Sequence, residues 1–296
     1  MLKKAIGLLF IIIGAFIILG MVGHKGVNWW TSNHHNLQNQ SMILRGIATI
    51  EIEATGTQVN IISEDRGKLM ADLHGDGNGR ANLDFQRNGD HLEIQVDQNW
   101  FHWFSFGDGL ILDVYVPENY NKAMAVDLGS GDLDIQGPSK KEMMNLNSFA
   151  LDMSSGNADL ENLRLDQLKM DGSSGNIDLR WVTANEASLD ISSGNIDLEH
   201  YSGSLDAELS SGRLNAKFEQ IMGPVDIEAS SGMISLDLPD EANFALEAKV
   251  SSGWIDCEIP LQNKSVEEDR NEVRGSHGSG KYKIELDSSS GVIHIY

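Results

Sequence analysis

Apolar and polar residues alternate along most of the chain beyond residue 45, as in ATIEIEA, VNIIS, HLEIQVD and LILDVYVP. Two is the side-chain period of a β-strand, so the pattern predicts many short strands with one face inward. The alternation is organised around a recurring triplet. Ser-Ser-Gly ends at Gly156, Gly175, Gly194, Gly212, Gly232, Gly253 and Gly291, and a relaxed Gly-Ser-Gly copy ends at Gly131. From Gly131 to Gly253 the successive glycines are 25, 19, 19, 18, 20 and 21 residues apart, and the last gap of 38 is about two periods. A near-constant period of this size is the signature of a solenoid.

Each glycine sits at a fixed place in the alternation. Two residues after it stand Leu133, Ala158, Ile177, Ile196, Leu214, Ile234, Ile255 and Ile293. Two further on stand Ile135, Leu160, Leu179, Leu198, Ala216, Leu236, Cys257 and Ile295, and five before it Val126, Leu151, Met170, Leu189, Ala207, Ile227, Ala248 and Leu286. These positions face inward. Each coil therefore reads as a short strand, a Ser-Ser-Gly corner, a second short strand and a return loop. Glycine enters left-handed φ without steric cost, which places a left-handed corner at every triplet. One coil cannot bury its own apolar face, so the coils must stack. The expected fold is all-β, a single-stranded, right-handed parallel β-solenoid with repeats of about 19 residues.

The segment 46–126 lacks the triplet but keeps strand character, and is expected to form irregular first coils that cap the solenoid of 46–296. Asn99 to Gly107 (NWFHWFSFG) is its one dense aromatic cluster, expected to cover the open end. At the other end VIHIY leaves a terminal strand, either covered by a neighbour or available for pairing. Cys257 occupies an inward rung and reads as a small buried hydrophobe.

Residues 1–22 follow a different pattern. Ala5 to Val22 form eighteen consecutive residues without a charge, long enough as a helix to span a bilayer. Lys3 and Lys4 precede it, which keeps the N-terminus cytoplasmic and the rest of the chain extracytoplasmic. The run exceeds the apolar core of a signal peptide, and LGMVGHKG offers no small-residue cleavage site, so a retained single-pass anchor is expected. Residues 23–45 then read as a polar stalk, in which His34 and His35 are solvated.

Composition narrows the function classes. The chain carries 44 acidic and 22 basic residues, a formal net charge of −22. The folded body would repel nucleic acid and anionic surfaces. One cysteine excludes an internal disulfide. Gly275 to Lys281 has the spacing of a phosphate-binding loop, but Tyr282 stands where a Ser or Thr would hold magnesium and a strand pattern follows where a helix should begin. It reads as a turn. The paired serines recur at equivalent corners with no G-x-S-x-G, so they read as structural, and neither a catalytic site nor a cofactor is expected.

The acidic residues are themselves periodic. Four before each glycine stand Asp127, Asp152, Asp171, Asp190, Glu208 and Glu228; three after it stand Asp134, Asp159, Asp178 and Asp197. By alternation they point outward, and stacking places like charges in columns. At a coil spacing of about 4.8 Å two carboxylates repel by roughly 0.9 kcal/mol even at the dielectric of water, before screening. Three readings are open: a solvated acidic face, a basic partner, or calcium held by Asp152, Asp171, Asp190, Glu208, Asp159, Asp178 and Asp197. The last lacks the nonapeptide of calcium-binding β-rolls.

A short N-terminal anchor, a β-rich segment ending in VYVPEN and repeated Ser-Ser-Gly-Asn-Ile-Asp-Leu coils together resemble the bacterial putative-adhesin β-strand-repeat family, a domain of unknown function. The anchored layout is similar to that of a protein from the cell-envelope stress operon of Gram-positive bacteria. The resemblance covers roughly Leu44 to Tyr296. It implies a surface location, an association with envelope stress and no catalytic residues. The expectation is a non-catalytic, membrane-anchored module that binds an envelope protein or wall polymer. No small-molecule substrate is expected, and the alternative is a calcium-dependent binding module.

Overall fold

The computed structural model describes residues 38–75, 81–98, 109–266 and 271–296. The expected anchor, most of the stalk and the aromatic cluster Asn99 to Gly107 lie outside the described residues. Among the described residues no helix is long and apolar enough to cross a membrane.

Strands account for the elements found: β1 (Gln38–Met42), β2 (Thr49–Ala54), β3 (Thr57–Glu64), β4 (Leu69–Gly75), β5 (Ala81–Asn88), β6 (His91–Gln98) and β7 (Leu110–Pro117) come first. Then follow β8 (Ala123–Leu128), β9 (Gly131–Gln136), β10 (Met144–Asp237), β11 (Phe244–Cys257), β12 (Gln262–Val266), β13 (Glu272–His277) and β14 (Tyr282–Ile295). β10 is a 94-residue extended run that winds through five of the Ser-Ser-Gly corners. Its burial alternates residue by residue, with Leu160, Leu179, Leu198, Ala216 and Leu236 inside and their neighbours half-buried or exposed. One continuous core runs from Ile47 to Ile295. Every inward position named from the sequence is buried except Cys257, which is half-buried.

Corner glycines stack on one another. A Cβ built on Gly194 would lie 1.8 Å from the Gly175 carbonyl oxygen, and the same clash, at 1.7 to 2.1 Å, links Gly131 to Thr57, Gly156 to Gly131, Gly175 to Gly156, Gly212 to Gly194 and Gly232 to Gly212. Their φ angles, 126° to 150°, lie beyond the left-handed helical value that the sequence suggests. They fall in the extended mirror region, which is essentially reserved for glycine.

The order of coils differs from a sequential solenoid at both ends. β2 lies between β6 and β8, and β3 between β7 and β9, all parallel, so the first coil in the chain is interior and the second is outermost. At the other end β14 lies between the last turn of β10 and β11, with Gly291 on Gly232 and Gly253 on Gly291. The terminal strand is thus paired on both sides rather than an edge. The segment 46–126 supplies regular coils as well as caps. Antiparallel strands close the stack: β4 on β7 and β5 on β6 at one end, β13 on the first half of β11 at the other. The gap of 38 residues before Gly291 holds this β12–β13 hairpin, not a further coil.

Candidate functional site

Outward residues of successive coils form columns on the faces flanking the Ser-Ser-Gly corner. Immediately after the corner, Asn157 Nδ2 donates to Asp132 Oδ1 at 2.8 Å, Asn176 Nδ2 to Asn157 Oδ1 at 2.9 Å and Asn195 Nδ2 to Asn176 Oδ1 at 2.9 Å. An amide offers one donor and one acceptor along the stack axis, so identical side chains at a repeating position can chain indefinitely. Past Asn195 the same column becomes Arg213, Met233, Val292 and Trp254, ending in an indole that is 52% exposed.

The predicted acidic columns are present and outward. Asp127, Asp152, Asp190, Glu208 and Glu228 are exposed, and Asp171, Asp159, Asp178 and Asp197 half-buried. Although Asp127 is exposed at the surface, partial desolvation by the adjacent coils pushes its carboxyl above the ordinary value, with the charges of Asp152 and Glu51 adding to the shift. Burial likewise raises Asp134, helped by Asp159 and Glu161, and Asp178, helped by Asp159 and Asp197. Cations and amides interleave to offset the repulsion: Lys169 pairs with Asp171 at 2.5 Å, Arg180 with Asp159 at 3.7 Å, and Asn215 Nδ2 donates to Asp197 Oδ1 at 2.6 Å. Two further coils break the columns, with Lys249 beside Asp287 and His294 beside Asp256.

Asp190, Glu208, Glu228 and Asp287 line a shallow groove of about 260 Å³ with Ser210, Ser230 and Ser289. Among the described residues no three His, Cys, Asp or Glu side chains converge where an ion could be held. The carboxylates lie along lines rather than around points. Gly275 falls in β13 and Gly278 and Gly280 form a left-handed turn (φ 60° and 66°) into β14, so the phosphate-loop spacing is a strand and turn.

A second corner was not visible as a motif. Asn162, Trp181 and His200, each 19 residues apart, adopt φ of 60°, 55° and 55°, a conformation that a bulky residue rarely enters. Trp181 and His200 stack face to face, centroids 3.8 Å apart and 5° from parallel. Lys140 Nζ lies 4.7 Å from the Trp181 ring centroid, and His200 Nδ1 is 2.9 Å from Glu219 Oε2. The shared 19-residue offset was the available signal, supported by Asn162 and His200, types enriched at positive φ, but not by Trp181.

In comparison with known proteins, the Toastrack DUF4097 family profile matches residues 47–296. A putative adhesin of Bacteroides fragilis NCTC 9343 shares the fold at 14% identity and a TM-score of 0.53, over 88% of this chain and 98% of that one. A putative cell adhesion protein of Clostridium sporogenes ATCC 15579 matches at 12% identity and TM-score 0.30, over 87% and 98%. A putative adhesin of Parabacteroides distasonis ATCC 8503 matches at 13% identity and TM-score 0.36, over 88% and 97%. No curated protein matches. With the profile spanning the stack from its first buried residue to its last strand, the chain belongs to the Toastrack family.

Proposed function

We propose that the chain is a non-catalytic, adhesin-like interaction module of the bacterial envelope, anchored through Ala5 to Val22 with its β-stack extracytoplasmic. The observation that carries this reading is the register of the outer faces. Similar polar side chains repeat coil by coil, as in Asp132, Asn157, Asn176 and Asn195, each bonded to the next. Such a surface suits a repetitive or extended partner better than a compact small molecule, which needs a concave, mostly apolar pocket. The name given to the Bacteroides protein of the same fold points the same way.

The partner is a wall polymer or an envelope protein, and the resemblance to an envelope-stress protein supports an accessory role. Co-sedimentation of the full chain with purified cell walls, and separately with envelope membranes stripped of it, tests this. Retention on either, undiminished by EDTA, is the expected result. Retention that EDTA abolishes would transfer the reading to the calcium-dependent alternative, and no retention on either would sink both.

A further inference from the structure

The two ends of the stack are closed unequally. At the N-terminal end both halves of the outermost coil are covered, β6 by β5 and β7 by β4. At the C-terminal end the outermost strand is β11, whose Phe244–Lys249 is covered by β13, with Val250 N–H donating to Asn271 O at 2.8 Å. The second half, 253–257, pairs with β14 on one side and, among the described residues, with no strand on the other.

Backbone parity shows which groups face that open side. Glu258 N–H donates to Ile295 O at 2.9 Å, so the groups of Asp256 and Trp254, two and four residues earlier, turn toward β14 as well. Those of Gly253, Ile255 and Cys257 therefore turn outward. Two contacts agree. Lys264 Nζ donates to Cys257 O at 3.3 Å from the open side. Each corner carbonyl points at the next glycine, and Gly253 is the last in the column.

We propose that 253–257 is a strand-addition edge that takes an extended, cationic peptide segment of another protein. The inference deepens the interaction-module reading and rests on it. Outward N–H and C=O groups of Gly253, Ile255 and Cys257 supply the ladder. Alternate side chains of the guest would then lie over the exposed face, where Trp254 is 52% exposed, Asp256 has a side chain 56% exposed and Glu258 is also open. A lysine or arginine there meets two carboxylates and an indole face, a combination that favours cations twice over. A second copy fits less well: each full chain carries a formal net charge of −22, and a five-residue edge buries far less than the ~800 Å² per partner of a stable interface. Lys264 guards the edge in the free protein, a common protection of exposed strands.

The test is a titration of the isotope-labelled full chain, held in detergent, with the peptide acetyl-(Lys-Val)3-amide, followed by amide shifts and hydrogen exchange. Gly253, Ile255 and Cys257 amides should gain protection while Trp254 and Asp256 do not. Binding should weaken roughly tenfold or more for acetyl-(Glu-Val)3-amide and for Asp256→Lys, and strengthen on Lys264→Ala. Cys257→Pro removes an outward donor and leaves the β14 ladder intact, so it should abolish binding; Asp256→Lys, at an exposed site, keeps the test decisive if the proline variant misfolds. Equal binding of the acidic peptide, or protection at other residues, overturns the proposal. Concentration-dependent protection of the three amides without peptide would assign the edge to a second copy instead. If Asp256→Lys leaves wall or membrane retention of the full chain intact, the edge is excluded and the broader interaction reading stands.

Discussion

Gly194 shows how tightly a single position can be specified. With φ at 147° and a virtual Cβ 1.8 Å from the Gly175 carbonyl, any side chain there meets both torsional strain and a backbone clash that no rotamer relieves. Gly194→Val should lower the unfolding free energy by more than ~3 kcal/mol, read by denaturant titration. Ser193 beside it makes one exposed contact, Oγ to Ser211 Oγ at 3.2 Å, and Ser193→Ala should cost about 1 kcal/mol or less. An undiminished stability of the valine variant would contradict the stacked-corner geometry. Cys257 differs from its equivalents because its coil is the outermost. It is half-buried, and burial pushes its thiol up, so alkylation should be slow at neutral pH and accelerate as the solution is made alkaline.

At the scale of the element, the informative feature is that β11 and β14 carry the same motif in the same register. Ser252 and Ser231 both pair with Ser290, so either strand could in principle follow the last turn of β10. The structure places β14 there. Cysteines at Met233 and Val292, introduced with Cys257→Ala, sit on adjacent parallel strands and should form a disulfide under mild oxidation, because neighbouring Cα atoms fall within bridging range. The pair at Met233 and Trp254, separated by β14, should not. A sequential solenoid would give the opposite result. The inward residues of the two strands differ at their second halves: Ile293 and Ile295 of β14 are fully buried, whereas their β11 equivalents are Ile255 and the half-buried Cys257. One inward position is less well served, since Ser288 is 1% exposed and its Oγ has no partner. Ser288→Ala should therefore be neutral or stabilising.

Over the whole molecule the acidic columns set the response to pH and salt. Asp127, Asp134, Asp178, Glu53 and Glu93 all have carboxyls raised above their ordinary values, burial being the first cause in each. Each binds its proton more tightly folded than unfolded, so the folded state is favoured as pH falls through their raised range toward ordinary carboxylate values. That gain is complete below the unfolded values and is lost as pH rises. Glu247, ion-paired with Lys249 and Arg274, is shifted down and works the other way. The melting temperature should accordingly be higher at mildly acidic pH than at neutrality, and moderate salt should narrow the difference by screening the columns. A melting temperature that falls on mild acidification would show that the paired carboxylates dominate instead.

Much of this fold was written into short stretches of chain. The period of two put Leu160, Leu179 and Leu198 inside and Asp159, Asp178 and Asp197 on the outer side, and the recurring glycines located the corners, because side-chain alternation and backbone torsion are local properties. The columns of like residues followed from stacking alone. Other features depended on contacts between distant residues. Which coil lies beside which could not be read where motifs are interchangeable, since Gly253 and Gly291 offer Gly232 the same corner and only the packing of complete coils and their antiparallel caps chooses between them. Left-handed backbone at Trp181 was invisible for a related reason: a bulky residue rarely adopts it, and it persists because the stacked rings, Lys140 and Glu219 hold the corner in place. The open edge at 253–257 likewise exists only in the assembled stack, where the exposure of one strand is decided by the strands that pair elsewhere.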